Sequence, residues 1–176
     1  MQTAPLQPKA PEMWDIYDEN RQKTGSLHQR GVPLAQGDYH LTVFVWKLNS
    51  RGELMITKRS PNKDFGGMWE TTAGSAVAGD DSLTAVLREN WEETGQVLDP
   101  QRGQLVTTYR GKNFFADIWL FRQDLDLENV VLQEGETCDV MYATPARIRE
   151  MAARGEFVPY PHLETLLQVV ENNPGM

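Results

Sequence analysis

The run H-L-T-V-F-V-W-K-L-N, residues 40–49, constrains the fold more than any other stretch. It is apolar enough to be a central strand, shielded on both faces rather than wetted on one. S-R-G and then E-L-M-I-T-K-R-S follow it, which gives a second strand across a glycine turn. A third extended run, T-T-A-G-S, leads through A-V-A-G-D-D into a helical segment beginning near Ser82. Further strands are expected around Gln104–Arg110, Phe114–Gln123 and Thr137–Tyr142. Two helices close the chain: T-P-A-R-I-R-E-M-A-A-R, with Thr144 as N-cap and Pro145 in the first position, and H-L-E-T-L-L-Q-V-V-E. Strands and helices alternate too irregularly for a purely parallel sheet. The expectation is an α/β protein with a mixed sheet covered by helices.

Upstream, W-D-I-Y-D-E, a turn-like N-R-Q-K-T-G and S-L-H-Q-R suggest a small hairpin extension over residues 13–36, with residues 1–12 as a mobile tail and 37–176 as the main domain. A chain of 176 residues suits one such domain, and 40% hydrophobic with 24% charged residues is too apolar for a disordered chain. No apolar run reaches the ~20 residues of a membrane span, and the N-terminus lacks the apolar core of a signal peptide. A net charge of −8 argues against general affinity for nucleic acid or an anionic membrane. The single cysteine, Cys138, excludes an internal disulfide and a thiolate zinc cage, and is expected as a buried, inert thiol. The expected setting is cytoplasmic.

Against that acidic background, R-E-N-W-E-E-T-G, residues 88–95, crowds three glutamates into one stretch. At about 100° per residue, Glu89 and Glu93 lie within about 40° of each other and Glu92 about 60° to the other side, so all three share a helix face. Leu83, Val86 and Leu87 form the neighbouring, core-facing stripe. Like charges at these spacings repel by a few tenths of a kcal/mol per pair. A divalent cation removes that repulsion, and Mg²⁺ takes carboxylates together with substrate phosphate oxygens. Arg88, one turn before Glu92, is placed to hold that carboxylate by a charge-assisted bond.

Extended backward, the stretch becomes G-S-A-V-A-G-D-D-S-L-T-A-V-L-R-E-N-W-E-E-T-G-Q, residues 74–96. This resembles the signature of the Nudix hydrolases: Gly74, Arg88, Glu89, Glu92, Glu93 and Gly95 match outright, and the likeness extends over about residues 37–150. The resemblance implies a Nudix-like α/β/α sandwich and hydrolysis of a diphosphate linkage in a small, phosphorylated substrate of nucleoside-diphosphate type. It implies Mg²⁺ or Mn²⁺ at Glu89, Glu92, Glu93 and Gly74, with Glu92, Glu93, Arg88 and a more distant acid in catalysis. Glu136 is the first candidate for that acid, because Tyr142 follows six residues on; Glu134 and Asp139 compete. Lys58, Arg59 and Arg110 are candidate phosphate contacts, with Lys112 beside the last. Tyr109, Phe114, Phe115 and Trp119 are either stacking residues or core. The W-D-I-Y-D-E segment is a candidate pocket cover or homodimer contact.

Three positions depart from the pattern. Asp80 replaces a glutamate and is shorter by one methylene. Asn90 replaces an aliphatic residue near the centre of the apolar face, where an unpartnered amide costs about 1–3 kcal/mol. Gln96 replaces a second aliphatic. These favour, as an alternative, a nucleotide-binding or interaction module with weak turnover. A second alternative is isopentenyl-diphosphate isomerase, whose lead-in strands look similar. That enzyme carries a Cys and a metal-binding His where this chain has Ala73 and Ser75, so isomerase activity is not expected. His40 matches one of the isomerase's metal ligands, though a lone histidine there is more often structural.

Overall fold

The computed structural model describes residues 11–173. Nine strands and three α-helices follow one another among the described residues: β1 (Met13–Tyr17), β2 (Lys23–Gln29), β3 (His40–Leu48), β4 (Leu54–Arg59), β5 (Trp69–Glu70), β6 (Thr72–Ser75), α1 (Ser82–Thr94), β7 (Gly103–Arg110), β8 (Phe114–Arg122), β9 (Thr137–Ala143), α2 (Pro145–Ala153) and α3 (Leu163–Asn172). Most of the expected tail lies outside the described residues. The helix starts follow local chemistry. Asp81 caps α1 by accepting from the Thr84 amide at 2.7 Å, and Thr144 caps α2 by accepting from the Arg147 amide at 3.2 Å. Gly95, in the left-handed region at φ 65°, ends α1 and returns its N–H to the Trp91 carbonyl.

β3 is central, as its composition demands. It pairs in parallel with β8 along its whole length, and antiparallel with β4 and β6. β9 and β5 add to β4, and β7 adds to β8, giving a seven-stranded mixed sheet. Successive β3 side chains serve opposite faces. Phe44, Trp46 and Leu48 join Ile118 and Leu120 of β8 under Ile148 and Met151 of α2 and Leu166, Leu167 and Val170 of α3. Leu41, Val43 and Val45 join Phe115 and Phe121 under Ala85 and Val86 of α1. The result is the expected α/β/α sandwich.

The hairpin β1–β2 forms its own two-stranded sheet but is docked on the main body. Tyr17 and Tyr39 exchange backbone hydrogen bonds at 2.8 and 3.0 Å, and Trp14 stacks on His40 with ring centroids 4.1 Å apart. His40 is therefore engaged as an aromatic surface at the start of β3.

Two sequence expectations are corrected. Cys138 is exposed, because it falls on the outward side of β9 near the Arg59 carbonyl. The buried stripe of α1 is also rotated. Ala85, Val86, Glu89, Asn90 and Thr94 are its buried residues, while Leu83 and Leu87 are only partly buried at its rim. The helix turns Glu89 inward because β6 offers an opening there in place of side-chain bulk.

Candidate active site

That opening is Gly74. A Cβ added to it would fall inside the Glu89 carboxyl group, far closer than the 3.0 Å that Cβ atoms keep. Only glycine lets α1 lay this carboxylate on the end of β6. Glu89 is 9% exposed, and burial pushes its pKa up against the lowering pull of Arg88. The Arg88 guanidinium organises the rest. It donates to Asp80 at 3.0 and 3.2 Å, to Glu89 at 2.9 Å, to Glu92 at 3.3 Å and to the Ser75 carbonyl at 3.0 Å. Asp80 thus reaches its arginine despite the missing methylene.

Asn90 is fully buried and half satisfied: its amide donates to the Gln96 carbonyl at 2.7 Å, while its own oxygen has no partner. Gln96 in turn donates to the Asn129 carbonyl at 2.7 Å. The two departures in the motif thereby tie the end of α1 to the following loop, a polar clasp where aliphatic residues would only pack. The same helix end carries the segment 131–136, through bonds from the Val131 amide to Thr94 and the Gln133 amide to the Glu93 carbonyl.

This tether brings Glu136 to the site. Glu89, Glu92, Glu93 and Glu136 line one cavity of about 170 Å³, together with Ala73, Gly74, Gln133, Glu12 and Arg30. Protein cations already engage three of the four: Arg88 holds Glu89 and Glu92, and Lys63 pairs with Glu136. Glu93 is the exception. Its Oε2 is buried without a hydrogen-bond partner, and burial pushes the carboxyl up to about 8, with Glu70 adding to the rise and Lys47 opposing it. Among the described residues no three acidic, imidazole or thiol groups are drawn into a finished coordination shell. The donors nevertheless suit a hard cation: carboxylate oxygens around a polar cavity, one of them buried and unpartnered.

The other sequence candidates lie elsewhere. Lys58 sits over the Trp69 ring at 5.6 Å, and Arg59 bonds Glu70 and the Asp64 carbonyl, so neither lines this cavity. Arg110 lies 5.7 Å over the Tyr39 ring. Tyr39 borders a second cavity of about 640 Å³ with Pro33, Leu34, Lys112 and Asn113. Phe115 is core, and the Trp119 indole donates to Ser82 at the start of α1. Tyr109 and Phe114 pack against the face covered by α2 and α3. Of the residues that could have served an isomerase, Ala73 is an apolar wall and Ser75 contributes only its carbonyl.

Three residues here escaped sequence reasoning. Glu12 and Arg30 reach the cavity from the open end of the hairpin, bonded to each other at 2.5 Å. Nothing in their local pattern announces this. Lys47, fully buried beside Glu93 and Glu70, did leave a signal: it is the one charged residue inside the apolar run of β3.

Fold and cavity together gather four carboxylates around one opening beside a mixed sheet. The NUDIX domain model matches residues 38–164 of the chain. An uncharacterised Nudix hydrolase of Listeria innocua is 36% identical over 160 residues, 90% of this chain and 95% of that protein. A crystal structure of a Deinococcus radiodurans protein shares the fold with a TM-score of 0.71 at 20% identity, covering 92% of this chain and 98% of that one. An isopentenyl-diphosphate isomerase of Pectobacterium atrosepticum is 33% identical over only 82 residues, 46% of this chain and 45% of that enzyme. The chain belongs to the Nudix family, as a pyrophosphohydrolase.

Proposed function

We propose that the chain hydrolyses the diphosphate linkage of a small nucleoside-diphosphate-type substrate, with Mg²⁺ or Mn²⁺ held by Glu89, Glu92 and Glu93 beside Gly74. The observation that carries this reading is the buried, unpartnered Oε2 of Glu93 in a cavity shared with Glu89, Glu92 and Glu136. A divalent cation there supplies charge neutralisation for the diphosphate oxygens and a water acidic enough to attack near neutral pH. The chain's own groups do the rest. Arg88 fixes the rotamers of Glu89 and Glu92 through the bonds described above. Glu136 is positioned to take a proton at its carboxylate once Lys63 yields, and Arg30 is the cation placed to meet a substrate phosphate inside the cavity. The nucleoside assignment is supported by the second cavity. Its volume falls within the usual ~300–1,000 Å³ of small-molecule sites, Tyr39 offers a stacking face and Arg110 and Lys112 offer charge. Arg30 lines the first cavity and residues 33–37 line the second, so one short segment runs from one to the other.

The single cysteine agrees with a reducing, cytoplasmic setting. The exposed Leu27 and Val32 of the hairpin region are the surface on which a homodimer would be sought.

The test is product formation from nucleoside di- and triphosphates, nucleotide sugars and dinucleotides, each with Mg²⁺, Mn²⁺ or chelator. Cleavage of one class that chelation abolishes and either cation restores is the expected result. Chelator-resistant cleavage would refute the cation site. Tight nucleotide binding with no product in any arm would favour the binding-module reading.

A further inference from the structure

We propose that Asp15 and Lys23 of the β1–β2 hairpin are positioning residues for the site, holding the turn 77–80 so that the short Asp80 can aim Arg88 at Glu89 and Glu92. The inference rests on the reading of Glu89 and Glu92 as cation ligands. The turn hangs between Ala76, whose amide donates to the Leu41 carbonyl of β3 at 2.9 Å, and Asp81, the N-cap of α1. The Asp80 amide closes it by donating to the Val77 carbonyl at 3.0 Å, with Gly79 in the left-handed region at φ 95°. Three consecutive residues of the turn are then fastened to the hairpin. The Ala78 amide donates to the Met13 carbonyl at 2.7 Å, the Gly79 amide donates to Asp15 Oδ2 at 2.9 Å, and Lys23 Nζ donates to the Asp80 carbonyl at 3.2 Å. Lys23 Nζ also donates to Asp15 Oδ2 at 2.7 Å, so the two side chains act as one clasp.

The clasp matters because of what Asp80 does on its other side. Its Oδ2 accepts from Nε and Nη2 of Arg88 at 3.2 and 3.0 Å. A guanidinium is a rigid planar fork, so bonds that fix Nε and Nη2 also fix where Nη1 points. Nη1 is the nitrogen that holds Glu89 at 2.9 Å and Glu92 at 3.3 Å. An aspartate has no slack for this task. A glutamate would carry its carboxylate about 1.5 Å further from the backbone, whereas the shorter side chain reaches Arg88 only while the backbone at residue 80 is kept close. Docking of the hairpin alone gives no reason for the clasp, since Tyr17 already exchanges backbone bonds with Tyr39 and Trp14 stacks on His40. A carboxylate that must be held at one distance from its arginine does.

The experiment measures Mn²⁺ binding to the full-length protein, without substrate, by the loss of the free-ion paramagnetic resonance signal. Asp15→Ala and Lys23→Met are each made in the native background and again together with Asp80→Glu. Changes along a connected network shift the coupling to a site by about 2–30-fold. The expected result is a weakening in that range in the native background. With Asp80→Glu present, the same changes should cost less than about two-fold, because the longer side chain reaches Arg88 from a relaxed turn; independent sites would add instead. Equal weakening in both backgrounds, or native Mn²⁺ affinity with only a lower Tm, would make the clasp purely structural and overturn the positioning role. Glu89→Gln is the control. If it loses Mn²⁺ while the hairpin variants fail the test, the cation site stands without the clasp. If Glu89→Gln itself binds Mn²⁺ normally, the cation-site reading fails and this inference with it. Should Asp15→Ala not fold, Lys23→Met, whose side chain is 43% exposed, decides alone.

Discussion

Gly74→Ala should separate catalysis from stability. The new Cβ would overlap the Glu89 carboxyl group, and the atoms it meets are all at the tip of that side chain. No backbone atom is among the three nearest, so relief requires only that Glu89 swing away by roughly 1 Å or more. Swinging breaks the 2.9 Å ion pair with Arg88, a half-buried contact in which the arginine keeps Asp80, Glu92 and the Ser75 carbonyl. Losing one arm of such a network costs about 1 kcal/mol, which for a chain of this size lowers Tm by about 2–4 °C. Catalysis is far less tolerant, since a misplacement of ~1 Å in a positioned group costs about 100-fold in rate. The assay pairs thermal unfolding with steady-state hydrolysis of the substrate found in the panel, both in saturating Mg²⁺. The expected outcome is a kcat loss near 100-fold with a Tm within a few degrees of the native protein. An alanine variant with native turnover would show that Glu89 need not lie against Gly74. A Tm fall of ten degrees or more would show that the glycine serves packing instead.

Glu93→Gln should lose nearly all turnover while leaving the fold intact. Burial raises the native carboxyl from 4.5 to about 8, so stability present below pH 4.5 is lost as pH rises toward 8; the glutamine protein should match or exceed the native Tm at pH 8, the gap closing by pH 4.5, and a lower Tm at pH 8 would contradict this. His162 lies 4% exposed among Phe44, Tyr109 and Tyr160 with neither ring nitrogen bonded, and burial holds it near 4 instead of 6.5. The unfolded chain takes up that proton first, so about 3 kcal/mol should drain away between pH 6.5 and 4. Urea unfolding across that range should give a flatter acid limb for His162→Phe, and identical slopes would dismiss the idea. Arg30→Ala should raise KM several-fold with little change in Tm, because its ion pair with Glu12 is exposed; an unchanged KM would take Arg30 off the substrate.

The elements that local chemistry specifies were readable in advance. The apolar run 40–49 became the central strand, Thr144-Pro145 opened α2, and Asp81 set α1 at Ser82, where the polar loop before it pointed. The short strand β5 was not separable from β6, since two residues carry no periodicity. The inward turn of Glu89 and Glu93 was hidden for a different reason. A helical wheel ranks faces by hydrophobicity and so places Leu83 and Leu87 inside, whereas the close approach at Gly74 rotates the helix about its axis and buries Glu89, with Glu93 half-buried one turn on. Asn90 and Gln96 looked like damage to the motif until their hydrogen bonds to the loop were visible. Cys138 was misjudged because a lone cysteine's burial depends on which side of an outer strand it falls, a parity that one residue of register reverses.

The hairpin bears on where this protein begins, in a functional sense. The recognisable family region opens at residue 38, yet Glu12 and Arg30 wall the acid-lined cavity and Tyr17 is bonded to Tyr39 from outside that boundary. A fragment trimmed to the family region would retain every glutamate of α1 and lose a side of the chamber that they line. Kin that preserve the acidic helix but vary ahead of the first central strand would then inherit the same reaction and differ in what they admit to it, so selectivity can evolve in a segment the shared motif never touches.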